Sequence, residues 1–334
     1  MSPTSTAPTA SRRPTRAAAF ATAWASQIGI TIAFLLLWAT FIVAAPGTFL
    51  RPEIYQSFAQ TTPYFAITAM ALTMVIVAGD IDLSFPSVMG LSMVGFVWTW
   101  QATDSVELGI VVGLAVGALA GLFNGLIITL IGIPSLVVTI GTASFFSGLT
   151  LVLVGGRQYP LVETRSSFSY GFLAGKLGGI PTEFFWLLLA AVGTWILLNR
   201  HRIGQNTYVI GDNRQAAELM GIPIRVTRVL LFVIVGMAAA LAALLQSLQV
   251  SNFYPAVGQG YLLPALAAVF VGGTSVLGGR GSVLGTFIGA FMIGGIHAGI
   301  VAAGLTDYYG DLIYGAIILI SVSIHAVLQR RFAR

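Results

Sequence analysis

Charged residues are so sparse in this chain that they act as punctuation between apolar runs. Stretches free of Asp, Glu, Lys and Arg cover residues 17–50, 54–79, 83–103, 108–156, 184–199, 229–279, 281–306 and 312–329. A helix crosses about 30 Å of hydrocarbon with roughly 20 apolar residues. The two longest windows hold two crossings each and the others one, which predicts ten transmembrane helices. Breakers mark both divisions. Gly132, Ile133 and Pro134 split the first long window, and the run from Ser251 through Pro255 to Gly260 splits the second. The short 184–199 span is expected to borrow Pro181 to Glu183 at its start.

An even count puts both termini on one side. With the termini in the cytosol, 12 cations fall inside and 4 (Arg51, Arg157, Arg165, Lys176) outside. That bias obeys the positive-inside rule. The expected organisation is therefore a disordered cytosolic tail (1–25), an all-α membrane domain (26–329) and a short cytosolic tail (330–334). The longest polar stretches are an outer loop at 155–183 and an inner loop at 200–228. Residues 1–25 lack acids, as transit peptides do. The first span is nevertheless too long for a signal peptide's apolar region, so a cytosolic tail is the preferred reading.

Composition agrees and removes several function classes. Of 334 residues, 57% are hydrophobic and 8% charged, against about a quarter charged in soluble domains. The net charge of +5 comes from scattered arginines with no basic stripe, which argues against nucleic acid. With no cysteine there is no disulfide framework, thiolate metal site or Cys nucleophile. The single lysine, Lys176, precedes Leu177, so no phosphate-cradling Gly-x-x-x-x-Gly-Lys-Ser/Thr loop exists. His201, His297 and His325 lack the spacing of a zinc protease. No cofactor or metal is expected, and any energised work needs a partner or an ion gradient.

Candidate chemistry lies in a few places. Residues 79–84 join two apolar runs and hold Asp80, Asp82 and Ser84. An acid at membrane depth costs about 2.5–3.5 kcal/mol on insertion scales. The stretch is therefore either a polar break lining a substrate path or a surface turn, with Ser84 or Asp82 capping a helix whose first turn holds Pro86. Residues two apart do not share a helix face, so a carboxylate dyad is not expected. Asn124, Thr139, Thr142 and His297 are further pathway candidates. For the threonines the bland reading is a bond to their own helix backbone, and for His297 a helix-to-helix hydrogen bond. Glycines recur every four residues at Gly113, Gly117, Gly121 and Gly125, and again at Gly281, Gly285 and Gly289. Such stripes let helix backbones approach closely, in a compact bundle or a homodimer.

The inner loop contains Gly211, Asn213, Arg214, Gln215, Ala216, Ala217, Glu218, Gly221 and Ile222. Gly211 and Asn213 suit a turn and a cap, Ala216 to Met220 a short helix, and Gly221 with Pro223 its end. An exposed Ala-Ala face there is small enough to seat in another protein's groove.

At these residues the chain resembles a known family. Gln215, Ala216, Ala217 and Gly221 are similar to the Glu-Ala-Ala-x-x-x-Gly loop by which ABC importer permeases dock on their ATPase subunits, with Gln in place of Glu. Residues 79–84 resemble the Gly-Gly-Ile-Asp-Leu-Ser signature of ribose/xylose/autoinducer-2 type sugar ABC permeases. Residues 121–125, 133–142, and 260–282 followed by Gly285 and Thr286 are similar to other blocks of that family. The likeness spans roughly Phe49 to Leu328. Departures are Asp80 for a usual Gly, Phe85 and Pro86 for Val-Gly, and Leu262 where Glu is frequent.

The resemblance implies a type II-importer-like bundle in the bacterial inner membrane that moves a monosaccharide or small polyol by alternating access. It implies a second permease copy, ATP-binding subunits below, and a periplasmic or lipid-anchored sugar-binding protein above. Alternatives are an ABC permease for nucleosides or branched-chain amino acids, and a proton-coupled secondary transporter using Asp80, Asp82 and His297 as a relay.

Overall fold

In the computed structural model the backbone of residues 16–306 and 308–332 is described, and the side chains of residues 27–306 and 308–323. Fifteen α-helices run through these residues. They are α1 (Arg16–Ala44), α2 (Pro46–Phe49), α3 (Pro52–Thr61), α4 (Pro63–Val77), α5 (Phe85–Thr103), α6 (Val106–Leu126), α7 (Ser135–Val154), α8 (Phe168–Ala174), α9 (Thr182–Asn199), α10 (Arg202–Asp212), α11 (Arg214–Leu219), α12 (Ile224–Gln249), α13 (Leu262–Val271), α14 (Val283–Ala302) and α15 (Tyr308–Phe332). A π-helical turn, Ile127–Ile131, extends α6.

Among the described residues six helices are long and apolar enough to cross a membrane, and α3 with α4 makes a seventh if that pair, bent by 50°, is one span. The chain is thus an all-α multi-pass membrane protein. The breakers act where the sequence places them. Gly132 turns left-handed after Ile131, Pro134 precedes α7, and α12 stops at Gln249, two residues before Ser251. The α9 helix begins at Thr182 behind Pro181, as its short window required. Two expectations need correction. α1 starts at Arg16, so residues 16–25, expected in a disordered tail, are helical, while residues 1–15 lie outside the described residues. The stretch 200–228, read as a loop with one short helix, carries a second helix, α10.

α4 is the axis of the bundle. All of its residues are buried, with α9, α12, α13 and α14 packed around it. At mid-helix Thr73 Oγ1 bonds Thr286 Oγ1 on α14, at 2.8 Å. The glycine stripes make the closest helix pairs. A methyl group added at Gly125 would lie 2.8 Å from Val229 Cα, and at Gly117 or Gly121 it would overlap the carbonyls of Gly236 or Phe232 on α12. The stripe at Gly281, Gly285 and Gly289 meets Val77, Gly272 and Ala268 in the same way. These stripes are therefore spent inside one chain, where small residues replace lipid between helices. Gly113 faces the Ser92 carbonyl and Phe96 of α5.

The loops gather at two ends. At one, Tyr159–Pro160 pairs antiparallel with Asn252–Phe253, joining the 155–183 stretch to the break after α12. At the other, the ends of α4 and α10 meet the 278–279 turn.

Gly121→Val forces a branched side chain against a backbone that cannot retreat, an overpacking cost of about 1–3 kcal/mol or more. Gly148, with open space around its Cα, is the control. Purified Gly121→Val should lose several degrees of thermal stability in detergent, while Gly148→Val stays near the parent.

Candidate functional site

α4 ends because Gly79 adopts a left-handed φ of +82°, which ordinary side chains avoid. Between Val77 and Phe85 the chain is then non-helical, and its backbone groups need partners from outside. In a lipid-buried bundle each unsatisfied group costs several kcal/mol. Four partners are supplied. Ile81 N donates to Ser135 Oγ at 3.1 Å, and Thr139 Oγ1 donates to Ile81 O at 3.2 Å. Asp82 Oδ1 accepts from both Ser84 N and Ser84 Oγ at 2.7 Å. Gly279 N donates to Val77 O at 2.8 Å. Ser84 Oγ also accepts from Asn124 Nδ2 at 2.7 Å. Asn124 Oδ1 is buried without a partner.

The two acids go separate ways. Asp82 stays within the break, while Asp80 leaves it to meet Arg228 on α12. Nε to Oδ2 and Nη2 to Oδ1 are both 2.6 Å, a two-pronged ion pair with each side chain 7% exposed. This fork-to-fork geometry is the strong form of the contact. Removing one partner leaves an uncompensated buried charge, which costs about 3–5 kcal/mol.

The break therefore brings together Asp80, Asp82, Ser84, Asn124 and Thr139 among the expected pathway residues. Thr142 stays apart and donates back to Thr139 O at 3.4 Å. His297 is exposed on α14 and makes no approach to either aspartate, so the Asp80, Asp82, His297 relay is not assembled. Ser84 sits at the start of α5, but its hydroxyl caps no amide there and donates to Asp82 instead. Arg228 and Ser135 are the residues sequence reading missed. Ser135 carried a usable signal, a hydroxyl in the first turn after a helix-breaking Gly-Ile-Pro.

A second cluster abuts the break from the 200–222 side. Gly211 lies so close to the Val77 carbonyl and Gly279 N that any side chain there would overlap them. Tyr208 Oη donates to Gly281 O at 2.9 Å, and burial pushes its phenol above the usual range, keeping it a donor. Asn213 caps α11, its Oδ1 accepting from Ala216 N at 3.0 Å. Gly221, at φ +71°, ends the turn, with Ile222 N bonded to Ala217 O at 3.0 Å. The exposed Ala-Ala face is not there: Ala217 is fully buried and Ala216 half-buried. Arg214, Gln215 and Glu218 are exposed instead, and the apolar tip is Leu219 and Met220, 91% and 70% exposed.

Asp82→Ala removes the acceptor for both Ser84 bonds, a loss of about 1–3 kcal/mol for buried groups left unpaired. Faster hydrogen exchange at the Ser84 amide is expected in Asp82→Ala, with little change in Asp82→Asn, whose amide oxygen still accepts.

Comparisons with known proteins now bear on this arrangement. The ribose import permease protein RbsC of Bacillus subtilis is 34% identical over 275 residues, covering 82% of this chain and 85% of that protein. The autoinducer 2 import system permease protein LsrD of Yersinia enterocolitica is 33% identical over 267 residues, 78% of this chain and 81% of that protein. RbsC of Escherichia coli K12 is 29% identical over 304 residues, 91% and 94% of the two chains. No solved structure matches. Residues 54–322, which hold both the break and the 211–222 turn, match the family described as branched-chain amino acid transport system / permease component, and the chain belongs to that family.

Proposed function

We propose that this chain is the membrane subunit of a bacterial ATP-driven importer for a monosaccharide or small polyol, with α11 as the seat for a separate ATP-binding subunit. The observation that carries the reading is the contact of Gly211 with Val77 and Gly279. It joins an exposed apolar tip directly to the polar break in the central helix, so force applied at Leu219 and Met220 reaches the break through backbone. Ribose and autoinducer 2 are what the relatives' names record, and they favour a polyhydroxylated cargo over a branched-chain amino acid. Asp82, Ser84 and Asn124 suit such a cargo, since hydroxyls both donate and accept, and Asn124 Oδ1 has capacity left.

Ten crossings fit this reading. They comprise the six long helices, the α3–α4 pair, and α5, α13 and α15. The turns at 79–84, 132–134, 211–213 and 278–279 then share the cytosolic end, and 155–183 and 251–260 share the outer end. The mutual contacts within each group support that assignment. A second permease copy, ATP-binding subunits and a periplasmic or lipid-anchored binding protein complete the importer in the inner membrane. No observation favours the secondary-transporter reading once His297 is placed away from the aspartates.

The test is co-purification and uptake with the cognate ATP-binding subunit. Leu219→Glu with Met220→Glu should cut recovery of that subunit at least tenfold while the permease itself remains monodisperse. Equal recovery from the parent and the double variant sinks the docking assignment. Uptake by proteoliposomes holding this chain alone under a pH gradient sinks the ATP-driven one.

A further inference from the structure

α11 is flanked by two arms. One runs back through Asn213 to the end of α10, where Gly211 rests on the Val77 carbonyl. The other runs forward through Pro223 into α12, and Arg228 stands in its second turn. From there the guanidinium crosses to Asp80, 148 positions away in sequence, through two 2.6 Å bonds in a site where both groups are almost fully buried. The path from tip to α12, to Arg228, to Asp80, to Val77, to Gly211 and back to the tip is therefore a closed ring. Its members differ in kind. The Gly211 contact is backbone against backbone and can push but not pull. The ion pair is a bond between two side chains and resists separation. Hydrogen bonds from Tyr208 to Gly281 O, from Gly279 N to Val77 O and from Asn124 to Ser84 also resist separation, but they reach the break from α10, the 278–279 turn and α6, whereas the ion pair links it directly to α12.

We propose that Asp80 and Arg228 are positioning residues that tie the break to α12, so that it follows the 211–222 element in both directions of a stroke. The proposal rests on the reading of that element as the seat of the ATP-binding subunit. Asp80 adjoins Ile81, whose backbone is held by Ser135 and Thr139, and lies two residues before Asp82. Movement of Asp80 therefore re-aims the Asp82, Ser84 and Asn124 group. Neither charge touches the cargo in this scheme, and both act through the backbone of residues 79–84.

The cysteine-free sequence permits a clean test on the assembled importer in proteoliposomes. A single Leu83→Cys, on a half-buried position of the break, is labelled with a membrane-impermeant methanethiosulfonate. Rates are compared without nucleotide and after trapping with ATP and vanadate. The parent carrying Leu83→Cys should show at least a fivefold change in labelling rate. Adding Asp80→Asn or Arg228→Met should reduce that change below twofold, with ATP hydrolysis retained. The paired variant, Asp80→Asn with Arg228→Met, removes both charges, so no lone buried charge remains to unfold the protein. It should recover thermal stability yet still fail to respond. A paired variant that regains both stability and the fivefold response shows a purely structural pair and overturns the proposal, as do single variants with an undiminished response. A parent that co-purifies with the ATP-binding subunit but gives no response overturns the tie alone. A parent that does not bind the subunit overturns the seat on α11 and the tie with it.

Discussion

A helix that stops inside a packed bundle leaves peptide groups with no water to bond, and one end of this molecule is organised around that requirement. α4 is buried along its whole length and ends at Gly79. The peptide groups of the following residues are met from three directions: by α7 through Ser135 and Thr139, by the 278–279 turn through Gly279, and by the break itself through Asp82. Each donor or acceptor has to be delivered within about 3 Å. That requirement fixes the start of α7, the path of the chain before α14 and the seating of α10. A polar residue in this region is best understood first as backbone satisfaction, and what is left over is chiefly the buried Asn124 Oδ1.

Much of this was legible in the chain, and the reasons for the failures are specific. Glycines and prolines announced the ends of α6, α7, α11 and α12, because their backbone preferences are local. The four-residue glycine stripes announced close helix pairs but not their partners, which are chiefly α12 and the end of α13, with α5 at Gly113 and Val77 of α4 at Gly281. α10 was hidden because Arg202, Gln205, Asn206 and Asp212 give it a polar composition, and its apolar face is set by what packs on it. Ala217 was expected outside and is buried for the same reason. Arg228 counted only as one more inner cation. Nothing local distinguishes an arginine facing lipid headgroups from one paired to a carboxylate 148 positions earlier. His297 looked interior by its place in an apolar window, yet the face of α14 it occupies is exposed.

The opposite end of α4 shows the same economy with a carboxyl and two amides. Glu183, fully buried in the first turn of α9, accepts from the Gln249 amide at 2.9 Å once that amide is oriented to donate. The same nitrogen reaches Ala174 O at 3.0 Å, and the Gln249 oxygen takes the Gln60 amide. Gln60 lies at the end of α3, next to the 50° bend into α4, and Gln249 is the last residue of α12. The α3–α4 unit and the break after it are thus bonded to the last residue of α12 through Gln60 and to its second turn through Asp80.

These two kinds of adhesion divide the molecule by what can move. Lipid offers no hydrophobic reward for bringing helices together, so α6 and α12 hold through dense backbone contact at Gly117, Gly121 and Gly236. Such an interface resists sliding, since any shift drives Cα atoms into carbonyls. α12 and α6 therefore move as one body. The joints of α3 and α4 with α12 add a few directed polar bonds at their ends. A neutral hydrogen bond such as that between Gln60 and Gln249 can be exchanged for another at lower cost than a glycine seam can be opened, whereas the buried Asp80–Arg228 pair resists separation. The two ends of α4 thus differ: the charged pair after Gly79 ties one to α12, and exchangeable neutral amides hold the α3 end.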